Sequence, residues 1–248
     1  MNFKNFYNNY THNIYEKNLS CQDEIRQYKD YFIKNFKAFI PKEKNANILD
    51  IGVGNGKTLE VFKELGYTNY FGIDIARDLI EEVKKRGLPC EYVEDTNAFL
   101  DLNKEKYSLI FLSHVIEHIS KDEIIVFLGK IRESLIEDGI LIMITPSVQN
   151  IFYVGSFWDF THVNFFTERS LHQICEVSGF KNIMLIAEKY PIRIYKYGIF
   201  SVLRIIASVL IIRPARFFVN IFIMTTRFLI GTINPKILSF NLICICKK

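Results

Sequence analysis

Five side chains in the middle of the sequence are of the types that move protons or hold cations. His114, Glu117 and His118 form one run, and Asp159 and His162 follow further on. Imidazole is the group best matched to proton uptake near neutral pH, because its own pKa lies there. His162 is the leading candidate for a general base, with Asp159 expected to orient its ring as a carboxylate does in hydrolytic triads. The plainer alternative is a loop histidine bonded to backbone; reactive groups concentrate on loops, which favours catalysis. His114, Glu117 and His118 stand at i, i+3 and i+4, so on a helix they share one face. Together with His162 they also make a set of imidazoles and one carboxylate suited to a divalent cation. Proton transfer alone and metal binding both remain open at this point.

A second stretch is built to cradle a ligand. Asn47, Ile48, Leu49, Asp50 and Ile51 run directly into Gly52-Val53-Gly54-Asn55-Gly56, and a helix-compatible segment follows over 57–65. The pattern predicts a buried strand, a tight turn and a helix start. Side chains at Gly52 or Gly54 would hold a ligand off the backbone or oppose a positive φ, and the helix start offers unpaired N–H groups. Spacing excludes two phosphate-binding motifs. A P-loop needs glycine at 51, which is Ile, and the dinucleotide fingerprint needs glycine at 57, which is Lys.

Strands are expected near 47–51, 69–73, 90–94, 107–112 and 138–144, and helices near 57–65, 77–87, 119–136 and 167–178. This alternation implies parallel strands with right-handed crossovers and a ligand site at the strands' carboxyl ends. Asp74 ends the second strand at the distance from the glycines where an acid accepts hydrogen bonds from both ribose hydroxyls; its plainer role is a helix cap. Asp95 ends the third strand and either contacts a nucleobase or caps the next segment. Ile75, Thr96 and Ser113 are placed at the same end and join the expected cofactor-binding set. Before the first of these strands, Ile25, Tyr28, Phe32, Phe36 and Phe39 recur at helical spacing behind a Ser20 cap, which predicts a helix packed on the sheet.

The run Asp50-x-Gly52-x-Gly54-x-Gly56, Asp74 at its spacing, and the stretch 107–119 with its apolar-x-Glu117-His118 run together resemble the class I S-adenosylmethionine (SAM)-dependent methyltransferases, over about residues 45–190. The resemblance implies a Rossmann-like α/β fold: a seven-stranded, mostly parallel sheet with an antiparallel last strand and helices on both faces. Segments 183–189 and 239–246 would supply the final antiparallel pair. It implies SAM as cofactor, the glycine turn along its methionine part, Asp50 near the amino group, Asp74 on the ribose and Asp95 near the adenine. The Asp159-x-Thr161-His162 run, with Phe166-Thr167-x-x-Ser170-Leu171 and Gly179-Phe180 after it, is similar to methyltransferases found with bacterial capsule and lipopolysaccharide sugar enzymes. That likeness implies O-methylation of a sugar or glycan precursor in polysaccharide biosynthesis. Small-RNA 2′-O-methyltransferases resemble the Glu-His pair plus later His, but carry an acid where His114 stands.

Net charge is +4, from 31 basic and 27 acidic residues, too mild to argue for a nucleic-acid partner. Five cysteines without a C-x-x-C pair read as buried thiols in a reducing cytoplasm. The N-terminus lacks the apolar core of a secretion signal. The expected division is a helical cap over 1–44, the SAM-binding core over 45–194, an apolar helical insertion over 195–236 and a last strand over 237–248. Residues 1–19 read equally as a tail or a lid. The insertion is broken by Arg204, Arg213, Pro214, Arg216 and Arg227. No run in it reaches the ~20 residues of a membrane span. Two amphipathic helices are expected there, packing on the core, on a second subunit, or on an anionic membrane surface. The expected acceptor is a small molecule or nucleotide-linked sugar, handled in the cytoplasm or at the inner face of the membrane. The rivals are a metal-assisted RNA 2′-O-methyltransferase, a non-catalytic scaffold and, more distantly, a nicotinamide-dependent oxidoreductase, which Lys57 disfavours.

Overall fold

A computed structural model describes residues 22–148, 159–188 and 241–248. Seven strands form one sheet in the order β3-β2-β1-β4-β5-β7-β6: β1 (Ile48–Ile51), β2 (Tyr70–Asp74), β3 (Cys90–Tyr92), β4 (Tyr107–Ser113), β5 (Leu135–Pro146), β6 (Lys181–Ala187) and β7 (Asn241–Lys247). Strands β1 to β5 pair in parallel, whereas β7 runs antiparallel between β5 and β6. This is the expected Rossmann-like architecture with its antiparallel last strand.

Alternation along the strands assigns the two faces. Ile48, Leu109, Phe111, Ile142 and Ile144 face a cluster that holds Phe32 and Phe36 of α1 (Gln22–Phe36) and Val61 and Phe62 of α2 (Lys57–Glu64). Leu49, Ile51, Ile110, Leu112, Leu141 and Met143 belong to the opposite cluster. It holds Leu100 of α4 (Thr96–Asp101), Phe127, Leu128 and Ile131 of α5 (Ile124–Ser134), and Leu171 and Cys175 of α6 (Glu168–Val177). Helix α3 (Arg77–Lys85) packs Ile80 and Val83 on Val53, Leu59, Leu88 and Cys90. Both faces are thus covered, which is why the central strands are largely apolar rather than alternating, with Asp50 of β1 a buried charged exception. Cys175, Cys244 and Cys246 are buried thiols in contact, with Sγ–Sγ distances of 3.7 and 3.4 Å.

Several boundaries differ by a few residues from the sequence expectation, the third strand for one ending at Tyr92 rather than 94, and two differ for a structural reason. The helix expected over 119–136 begins at Ile124, because residues Ile116–His118 form one 3-10 turn and Ile119 then returns to extended backbone. Strand β5 begins at Leu135 rather than 138: Leu135 pairs with Tyr107, the register shifts, and the ladder resumes at Ile140 opposite Leu109. Asp138, at φ 61, marks that irregularity. At the other end of the sheet Pro146 of β5 lies opposite Asn241, and Leu242 opposite Ala187 of β6. The chain therefore leaves β6 and re-enters β7 at the carboxyl end of β5. Residues 1–21, 149–158 and 189–240 lie outside the described residues, and with them the lid or tail, the Ser20 cap and the helical insertion. Among the described residues no helix is long and apolar enough to cross a membrane.

The aromatic contact of α1 with the sheet sets one expectation. Phe32 is fully buried, with its ring centroid 5.4 Å from that of Phe62 and 5.5 Å from that of Phe111. Phe32→Ala is expected to cost about 3–5 kcal/mol, read from the midpoint of urea unfolding at unchanged m-value. A loss below about 1 kcal/mol would show α1 to be an appendage.

Candidate active site

The turn after β1 is shaped by three left-handed residues, Gly52 (φ 78), Gly54 (φ 53) and Gly56 (φ 76). Gly56 stands at the N-cap of α2 with no side-chain cap of its own. A Cβ on Gly52 would drive into Val115 Cγ2, so the turn closes directly onto the segment between His114 and Glu117. Asp74 pins the turn from β2: Oδ2 accepts from Gly54 N at 2.8 Å and Oδ1 accepts from Ala76 N at 2.8 Å. Burial raises its pKa while those backbone donors pull it down, and burial prevails.

Asp50 is buried, and neither carboxylate oxygen has a hydrogen-bond partner among the described residues. Burial, then the charge of Asp74, holds its pKa well above the ordinary carboxylate value. Buried acids are normally paired, so this carboxylate fits a ligand that brings a cationic donor such as an ammonium. Ile75, just past Asp74, is exposed at the same edge. Asp95 is the N-cap of α4, with Oδ1 accepting from Ala98 N at 2.9 Å. Thr96 is the first residue of that helix, and Ser113 ends β4, partly exposed.

Beside the turn lies the imidazole cluster. His114 bonds its N–H to Ile144 O, then turns sharply with φ 58. It is therefore off the short helix rather than on one face with Glu117 and His118. The turn still brings its Nδ1 to 3.1 Å from Glu117 Oε1. Glu117 is 1% exposed, its Oε2 accepts from Thr145 Oγ1 at 3.1 Å, and His162 Nε2 lies 4.0 Å from its Oε1. Burial alone would raise the Glu117 pKa, but the hydrogen bond and charge of His114, with help from His118, bring it below the usual value. Burial opposes protonation of His114 and the Glu117 carboxylate overrides it, so that pKa is raised. His118 is shifted the other way, down, mainly by burial. The rings of His118 and His162 meet edge to face, 4.7 Å apart. Glu117, His118 and His162 each offer a ligand atom, all within 4.8 Å of one another.

The loop that carries His162 is stitched to this cluster. Val163 N and Asn164 N both donate to Glu117 O, at 2.9 and 3.0 Å, and Asn164 Nδ2 donates to Ile119 O. The expected partner of Asp159 is His162. Instead the structure directs Asp159 Oδ1 to Thr161, which donates both its N–H (2.8 Å) and its hydroxyl (2.6 Å). An Asx turn prefers the residue two positions on, which sets that outcome. Thr161 Oγ1 lies in turn 2.8 Å from His118 Nδ1. Thr161, Thr145 and Asn164 are the members that sequence reasoning missed; the Asp-x-Thr spacing of the Asx turn was the available signal for the first.

A family model described as a methyltransferase domain matches residues 23–185. The chain belongs to the methyltransferase-domain family. Solved structures of similar fold include a SAM-dependent methyltransferase from Archaeoglobus fulgidus (TM-score 0.62, 19% identity, covering 92% of this chain and 97% of that one). Another, from Thermotoga maritima, aligns at TM-score 0.59 and 15% identity over 99% of this chain and 97% of its own. A third is phosphoethanolamine N-methyltransferase 2 from Haemonchus contortus in complex with SAM (TM-score 0.57, 13% identity, 98% of this chain and 60% of that one). No curated protein sequence matches the chain significantly. The protein is a methyltransferase, and the glycine turn beside Asp50, whose carboxylate has no hydrogen-bond partner among the described residues, is where the amino group of a SAM cofactor would fit.

The methyltransferase should show this in its pH dependence. A carboxyl whose folded pKa is raised contributes stability that is complete below its unfolded value and is lost as pH rises through the folded one. Asp50→Asn is therefore expected to raise the Tm of the cofactor-free protein increasingly from about pH 4 towards neutrality. The same change should weaken SAM binding about tenfold or more by calorimetry. A variant with unaltered affinity would take Asp50 out of the cofactor site.

Proposed function

We propose that this methyltransferase is an O-methyltransferase, transferring the methyl group of SAM to a hydroxyl of a sugar or glycan precursor. The single observation that carries the choice of oxygen is the cluster of Glu117, His118 and His162 packed against the cofactor turn through Val115. When bound, SAM supplies a methyl group on a positively charged sulfur, so that the new oxygen–carbon bond forms as the carbon–sulfur bond breaks with its electron pair staying on sulfur. The acceptor hydroxyl must give up its proton, and a neutral amine acceptor has no such need before attack. Imidazoles beside the turn are the groups to take it. His162 is the base in this proposal, and the buried negative charge of Glu117 stabilises the imidazolium that results. His114, already paired with Glu117, holds that carboxylate in place.

Asp50 would face the cofactor's amino group, Asp74 its ribose, and Asp95, with the carboxylate oxygen not used in capping, its adenine. Ile75, Thr96 and Ser113 complete the lining. The sugar acceptor rests on the likeness of the Asp159–Phe180 stretch to capsule and lipopolysaccharide methyltransferases. The described residues on either side of 189–240, Ala187 in β6 and Asn241 in β7, lie level with the carboxyl end of β5, and that segment is where contact with a lipid-linked acceptor, a membrane surface or a second subunit would be made.

One observation favours a second reading in which a divalent cation assists. The 4.0 Å gap between His162 Nε2 and Glu117 Oε1 is too long for a hydrogen bond. It is also within the span of two ligands on one ion with bonds of about 2.1 Å. An RNA acceptor in that reading is disfavoured by the mild net charge.

Assays of methyl transfer from labelled SAM across nucleotide-linked sugars, each with and without EDTA, test these readings. His162→Ala is expected to lower turnover about 10²-fold with SAM affinity retained. Unchanged turnover would remove His162 from the chemistry, and full loss with EDTA, restored by a divalent ion, would establish the cation.

A further inference from the structure

The imidazole cluster meets the glycine turn at Gly52; a different side chain holds the turn's other end. Arg86 is the C-cap of α3, and its guanidinium reaches across to the turn, where Nη2 donates to Asn55 O. Asn55 stands between two left-handed glycines, Gly54 (φ 53) and Gly56 (φ 76). The peptide joining Asn55 to Gly56 is thereby tied at both ends, its carbonyl to Arg86 and its N–H to Val53 O at 2.9 Å. Glycines leave a backbone many conformations, so these contacts, with the bond from Gly54 N to Asp74, decide which one the turn keeps. Gly56 also makes room for the guanidinium. A Cβ there would stand 2.5 Å from Arg86 Nη2, and 3.0 and 3.1 Å from the two methyls of Val83. Charge alone would not put a cation at this spot. Gly56 is the N-cap of α2, and the N–H groups of a helix start carry partial positive charge. Glu60, in the first turn of α2, lies 3.7 Å from Arg86 Nη1 and offsets it. Both side chains are mostly covered, at 24% and 16% exposure, so the pair is not a loose surface contact.

We propose that Arg86 is a positioning residue for the cofactor: it fixes the glycine turn in its binding conformation through the Asn55 carbonyl, and residue 56 is glycine so that the guanidinium can reach that carbonyl. Arg86 acts through the turn and not on the ligand. A turn already in its binding conformation loses less freedom when the ligand arrives, so the clamp shows in SAM affinity. The three glycines then serve three different contacts: Gly52 admits Val115, Gly54 gives its N–H to Asp74, and Gly56 admits Arg86. The inference rests on SAM occupying this turn, and is independent of the acceptor and of the choice of oxygen.

Calorimetry with SAM, and backbone amide exchange of the cofactor-free protein, test this together. Arg86→Met is expected to weaken SAM binding about tenfold and to speed exchange of the Gly56 N–H. Arg86→Lys, which keeps a cationic donor, should retain most of the affinity. Gly56→Ala pushes the guanidinium aside and should cost affinity as well, besides the loss of Tm that its left-handed backbone imposes. In the Arg86→Met background the same Gly56→Ala change should cost at least about threefold less affinity, because the contact it disrupts is already gone. Unchanged affinity in Arg86→Met, or fully additive losses in the double variant, would overturn the proposal. A lowered Tm in Arg86→Met with affinity kept would show the contact to be structural only, and would equally overturn it. An unaltered protein that fails to bind SAM would overturn the cofactor reading and this role with it, and the Gly56 exchange would still show whether Arg86 holds the turn.

Discussion

The absence of a side chain at Gly52 is the constraint on which the site depends. With φ at 78 and the methyl of Val115 occupying the space a Cβ would need, the turn after β1 and the turn after β4 come together. Adjacent parallel strands always end near one another, but here the two loops touch. That contact places the imidazole cluster beside the glycine turn, in reach of whatever the turn holds. A substitution at Gly52 would meet two penalties, the left-handed backbone and the clash.

Charge is arranged around that contact in two different ways. At Asp50 a carboxylate is buried with no hydrogen-bond donor among the described residues, an arrangement that suits a cationic ligand. At Glu117 a carboxylate equally buried is fully engaged by His114 and Thr145. Environments that push neighbouring groups in opposite directions, as for the raised His114 and the lowered His118, are what allow one to remain paired while the other stays neutral.

Much of this was legible in the sequence. The apolar runs at β1, β2 and β4, the alternating glycines and Asp74 at its spacing are local features, and local physics dictates them. The capped start of α6 at Thr167 was equally readable, since a cap is a matter of three residues. What the sequence hid depends on tertiary contact. Helical spacing of His114, Glu117 and His118 was the right grouping for the wrong reason: a left-handed turn and a single 3-10 turn, not an α-helix, bring them together. Asp159 was paired by analogy with the neighbouring histidine, whereas the Asx turn aims it at Thr161, and only the folded loop reveals that Thr161 reaches His118. The bulge in β5 was invisible because it answers the register of its neighbour β4.

The most direct test of the account is a crystal structure of the full chain with S-adenosylhomocysteine. The account predicts the amino group on Asp50, the ribose hydroxyls on Asp74, and the sulfur directed toward His118 and His162. An adenosyl group bound elsewhere, or a sulfur pointing away from those two rings, would contradict it.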